Sequence, residues 1–119
     1  MSAELPPQIQ NQIAQLQQVQ QQIQALAMQK SQLEVMHKES GMALEELEKL
    51  AEDAVVYRNV GELVIKTDKD ESIVKLKDRQ ETVSLRLQSI TRQEERLTNR
   101  FKQLQEQIKH AMGGTPQAE

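Results

Sequence analysis

His37 and His110 are the only imidazoles in the chain, and no cysteine accompanies them. An imidazole acts as general base, proton shuttle or metal ligand when a second group stands within reach. These two lie 73 positions apart, so they make no i, i+4 ligand pair with each other, and no carboxylate-rich loop lies between them. That spacing gives neither a metal site nor a nucleophile with its base. The lack of cysteine also excludes thiolate metal sites and disulfide frameworks, and is most compatible with the cytosol. The expectation is a protein that is not an enzyme and holds no cofactor and no metal. His37 is expected in a helix seam facing Val83, and His110 as a favourable charge near a helix C-terminus.

What remains is chemistry of contact, and the composition says which elements carry it. Of 119 residues, 37% are hydrophobic, 28% charged and only 2% aromatic. Aromatic bulk for a conventional globular core is missing. Leu, Ile, Val and Phe still number 29, above the roughly 20% below which a charged chain stays unfolded. A helical protein fits both facts. The net charge of −3 argues against nucleic acid as a partner, since counterion release needs a concentrated basic face. The opening MSAELPPQ has no basic n-region and no apolar h-region, and apolar runs are short. Neither a signal peptide nor a membrane span is expected, and the location is expected to be cytoplasmic.

Pro6 and Pro7 suit a helix entry, because proline fixes φ and lacks an N–H that would be orphaned there anyway. From Gln8 to Asp53 the residues are mostly Gln, Ala, Leu, Glu, Met and Lys, all good helix formers. Ile9, Leu16, Val19, Ile23, Leu26, Leu33, Leu44, Leu47, Ala51 and Ala54 recur at intervals of three and four, with polar exceptions at Gln12, Lys30, His37 and Ser40. A second series runs through Ile73, Leu76, Val83, Leu87, Ile90, Leu97, Phe101, Leu104 and Ile108, with Gln80 and Glu94 as its polar members. Heptads sustained this long mean coiled coil. Gly113, Gly114 and Pro116 then stop the second helix.

Between the helices, Val55-Val56-Tyr57 and Leu63-Val64-Ile65 flank Val60-Gly61, which predicts a β-hairpin with a bulged or longer turn. The expected fold is mainly α, a long antiparallel two-helix coiled coil with one hairpin at the helix connection. The boundaries are 8–53 for the first helix, 54–69 for the hairpin, 70–112 for the second helix and 113–119 for a flexible tail, all in one domain. In an antiparallel hairpin closing at Val60, facing residues have numbers adding to about 120, and the two heptad series match in phase at that value. Ser40 is then expected to hydrogen-bond Gln80, and Lys30 to pair with Glu94, both fixing register. A two-stranded hairpin of Val55, Val56, Tyr57, Val60, Leu63, Val64 and Ile65 is marginal alone and must pair with another chain.

The helix ends away from the hairpin form the second place of interest. Residues 5–29 carry no charge, and 12 glutamines between Gln8 and Gln32 supply neutral helix faces tolerant of many sequences. Ser84 to Lys102 carries five cations against Glu94 and Glu95, a face suited to steering acidic clients. Ile9, Ile13, Leu16, Phe101, Leu104, Ile108 and Met112 cluster at this tip, where the coil is expected to fray. Ile13 and Met112 fall off the strict seam and are expected to face outward, and Met suits promiscuous apolar contact.

Three stretches in this order, LPPQIQNQIAQLQQVQQQIQAL, ALEELEKLAEDAVVYRNVGELVIKTDKDE and ETVSLRLQSITRQEERL, carry a resemblance over almost the whole chain. The sequence resembles the β-type prefoldin family of archaea. VYRNVGELVI is its most specific element, and room for one hairpin rather than two separates it from the α type. The resemblance implies a hexamer of two α and four β subunits, with hairpins joined into a double β-barrel platform. It also implies six coiled-coil tentacles whose tips hold unfolded proteins without ATP and pass them to a group II chaperonin. Val55 to Ile65, Gly61 included, would then be barrel strands, and the seven tip residues the client-binding ends. The alternative from the residues alone is a structural coiled-coil oligomeriser without client binding. A membrane-tethering bundle would need an anchor or lipidation motif, and none is found.

Overall fold

The computed structural model describes residues 5–113. Helix α1 spans Pro7–Glu48, strand β1 Val55–Val60, strand β2 Leu63–Asp68 and helix α2 Lys69–Ala111. Pro7 opens α1, one residue before the expected start, and the Gln10 N–H donates to Pro6 O at 3.0 Å. Residues 114–119, most of the tail expected at 113–119, lie outside the described residues.

Two compact units emerge. The terminal unit joins α1 up to Lys30 with α2 from Ile90, and the hairpin unit comprises Ser31–Ser89. In the terminal unit, Gln12 meets Gln107, Gln15 meets Arg100 and Lys30 meets Glu94. Rising numbers on α1 meet falling numbers on α2, so the segments run antiparallel, in the phase the heptads predict. Ile9, Val19, Ile90 and Leu104 are buried between them. In the hairpin unit Leu33, Leu44, Leu47 and Val83 form the buried apolar set. Every seam position in both helices is buried or half-buried up to Leu47 on α1 and Ile108 on α2.

The first helix stops at Glu48, five residues before the expected end. Propensity does not explain this, since Lys49, Leu50, Ala51 and Glu52 are helix formers. Instead the Lys49 and Leu50 N–H groups turn back to Glu46 O and Leu47 O. The Lys69 ammonium, in a residue only 9% exposed, then donates to Leu50 O at 2.9 Å and pairs with Glu52 at 3.5 Å. A lysine from the start of α2 thus satisfies a carbonyl at the end of α1, where a cation is favoured. Ala51 and Ala54 fall outside the helix in consequence, and Ala54 N–H closes a turn onto Ala51 O.

The start of α2 shifts to Lys69, one residue early, because Asp68 caps it: its Oδ1 accepts the Glu71 N–H at 2.8 Å. Asp70 and Glu71 in the first turn, and Lys109 in the last, complement the helix dipole. At the far end α2 stops at Ala111, one residue short of the expected Met112, and Gly113 takes φ +86°. That left-handed value is the usual helix stop.

The polar seam entries behave unequally. Lys30 Nζ reaches Glu94 Oε1 at 3.2 Å, as expected. Gln80 does not bond Ser40 in the expected way; its Nε2 donates to His37 O in a long bond of 3.5 Å. Gly41 explains the change, since a Cβ there would lie 3.2 Å from Gln80 Nε2. The missing side chain lets the amide approach the α1 backbone. Ser40 is buried beside it.

Asp68→Ala removes the α2 cap and should lower stability by about 1 kcal/mol, with Asp68→Ser retaining most of it; denaturant midpoints of the three chains measure this.

Candidate functional site

The hairpin is antiparallel, with Val55 opposite Asp68, Tyr57 opposite Lys66 and Val60 opposite Leu63. The register runs without a bulge, and the turn is only Gly61-Glu62, tighter than expected. Gly61 has φ +61° and Glu62 is not left-handed, the pattern of a type II′ turn, whose twist suits paired strands. Both strands are longer than the apolar triplets, because Arg58, Asn59, Lys66 and Thr67 continue the ladder.

These strands present apolar side chains to water. Tyr57 is 63% exposed and Val64 66%, and Val55, Val60, Leu63 and Ile65 are exposed too. Val56 is half-buried, lining with Leu47 and Leu76 a cavity of about 410 Å³ under β1, edged by Arg58, Lys75 and Arg79. Each strand has one hydrogen-bonding edge unpaired among the described residues. An exposed, apolar, two-stranded sheet with open edges is marginal by itself and leaves backbone groups available for a further strand.

The terminal unit gathers the other predicted set with differing exposure. Leu104, 1% exposed, is the most buried large side chain among the described residues, and Ile9 is buried too. The seam is therefore closed at these two positions, where fraying was expected. Ile13, Leu16, Phe101 and Ile108 are half-buried, so Ile13 does not face fully outward. Met112 is 57% exposed. At the polar layer, Gln12 Nε2 lies 3.5 Å from Gln107 Oε1, while Gln12 Oε1 is buried without a hydrogen-bond partner among the described residues. Sequence reasoning missed Met28, 67% exposed in the charge-free stretch of α1. Its signal was a methionine off the heptad seam.

His37 is half-buried, and His110 Nε2 lies 3.7 Å from Glu106 Oε1 one turn back. No group of three or more His, Cys, Asp or Glu able to hold a metal occurs among the described residues. Nor is any helix among them long and apolar enough to cross a membrane. What the two surfaces offer is strand addition and apolar contact.

Leu104→Ala should destabilise by about 2–4 kcal/mol through lost burial and the cavity left behind. Met112→Ser should stay within about 0.5 kcal/mol of the parent. Urea melts followed by helical ellipticity separate the two.

Residues 10–115 match the family described as "Prefoldin subunit". The chain is 83% identical to prefoldin subunit beta of Methanosarcina acetivorans over 113 residues, covering 95% of this chain and 97% of that one. It is 42% identical to prefoldin subunit beta of Archaeoglobus fulgidus, covering 97% of each. Among solved structures, the prefoldin beta subunit from Thermococcus strain KS-1 superposes with a TM-score of 0.82 at 41% identity, covering 92% of this chain and 96% of that one.

Proposed function

The chain belongs to the prefoldin family, as one of its archaeal β-type subunits, and on that footing we propose that it works as an ATP-independent holdase subunit. It captures unfolded proteins through the apolar side chains of its terminal unit and delivers them to a group II chaperonin. The hairpin joins those of other subunits, in a hexamer of two α and four β chains located in the cytoplasm.

The observation that carries the reading is the exposed hairpin: six apolar or aromatic side chains in water and two open strand edges within one short sheet. Burying them needs partner strands, and partner strands make the chain a subunit. Client capture rests on Met112, with half-buried Ile13, Leu16, Phe101 and Ile108 beside it, next to an α1 segment without charge. Neutral amide and aliphatic surface discriminates little among sequences, which suits a holdase. Ile9 and Leu104 keep the helices together beneath that surface. Client release by exchange with the chaperonin needs no bound nucleotide, since each contact is weak and separately reversible.

Light scattering of the chain mixed two to one with an α-type subunit should give a single species near six chains. Elution as separate parts would leave a self-contained coiled-coil oligomer as the better reading. A charge at Val64, as in Val64→Lys, should abolish the six-chain species while helical ellipticity is retained, because the strand must pair through an apolar face; full hexamer mass would contradict the barrel role.

Replacing Ile13, Phe101 and Ile108 together by Ser should leave the assembled mass unchanged while weakening suppression of client aggregation severalfold, the three half-buried side chains together contributing about 1 kcal/mol of apolar contact. Unchanged suppression in an aggregation assay would remove the client site from this end of the chain.

A further inference from the structure

One flank of the terminal unit carries a groove of about 420 Å³ lined by Gln22, Ala25 and Leu26 of α1 and Gln93, Arg96 and Leu97 of α2. The same three heptad positions come from each helix, so Leu26 and Leu97 form its floor, both half-buried, and the small Ala25 leaves it open. Its charge is of one sign. Arg96 is exposed, and its own helix places Arg92, Gln93, Asn99 and Arg100 at the adjacent turns, with no acid among them. The facing helix offers none either, since residues 5–29 are uncharged. Arg100 lies on the same flank, bound to the neutral Gln15 Oε1 at 3.1 Å. Cations at i, i+4 repel one another, so Arg96, with Arg92 and Arg100 a turn to either side, stands in a locally cationic stretch that favours an anion.

Of the nearby acids, Glu94 pairs with Lys30. Glu95, three residues after Arg92, lines a separate groove with Ile23, Glu94, Thr98 and Lys102, where the charges are mixed. The cationic groove with an apolar floor therefore has its own chemistry. We propose that it receives a short extended segment of non-native polypeptide in which an apolar side chain is flanked by Asp or Glu. The apolar side chain lies on Leu26 and Leu97 beside Ala25, and the carboxylate meets Arg96, with Arg100 one turn further along. A guanidinium fork suits a carboxylate better than an ammonium would. The inference rests on the holdase reading and adds to it a preference in client chemistry.

The test uses the full chain in its assembly and two labelled peptides, one alternating Leu with Glu and the other alternating Leu with Lys. Fluorescence anisotropy should show the acidic peptide binding roughly tenfold tighter at low salt, with the gap closing as salt screens the arginines. In the double variant Arg96→Gln, Arg100→Gln the ratio should fall to about one, and Ala25→Glu should reverse it. Equal binding of the two peptides to the parent chain, while it still suppresses client aggregation, overturns the groove assignment alone. A preference surviving in both variants overturns it as well. A parent chain that suppresses no aggregation and binds neither peptide overturns the holdase reading together with it.

Discussion

Everything in this chain depends on one apolar stripe per helix being removed from water by the other helix. With a single Tyr and a single Phe there is no alternative core to fall back on. Leu, Ile and Val at heptad spacing supply it, and at about 25 cal/mol per Å² of buried apolar surface each fully buried side chain contributes on the order of 2 kcal/mol. Such a seam is narrow, so polar entries matter: Lys30 with Glu94 and Gln80 with the His37 carbonyl penalise any slip in register. An aliphatic seam alone would tolerate a slip by a heptad.

The hairpin inverts this logic. Where the helices hide their apolar residues, β1 and β2 display them, although the same residue types are used. The difference is geometric. A helix pair closes its own stripe, whereas a two-stranded sheet leaves a hydrogen-bonding edge on each strand and cannot cover both faces. The helices and the hairpin thus use the same residue types for opposite ends, one closing its apolar surface and the other leaving it open.

Much of this was legible in the sequence. Heptad phase located both helices and their antiparallel pairing, and the valine-rich runs around Gly61 located the strands. What escaped was set by contacts distant in sequence. No local signal ends α1 at Glu48; the stop comes from Lys69 reaching Leu50 O, 19 residues away. Gln80 finds a backbone carbonyl rather than Ser40 because Gly41 has no side chain to obstruct it, a consequence visible only once the helices are packed. The cap at Asp68 was readable, since an Asp followed three residues later by Glu71 is a helix-start signature, and a strand ending there obscured it. For the terminal residues, heptad position predicted membership of the seam better than it predicted depth: Ile9 and Leu104 are sealed, while Leu16, Phe101 and Ile108 are only partly covered.

Asp68 pairs with Val55 as the last residue of β2 and caps α2 in the same moment, so strand and helix share a residue with no linker between them. On the other side Lys69 ties the end of α1 to the beginning of α2. The hairpin is thereby a crank fixed to its shaft rather than a flag on a string. Within the hairpin unit, strand register therefore decides where α2 begins, with no flexible joint between strand and helix.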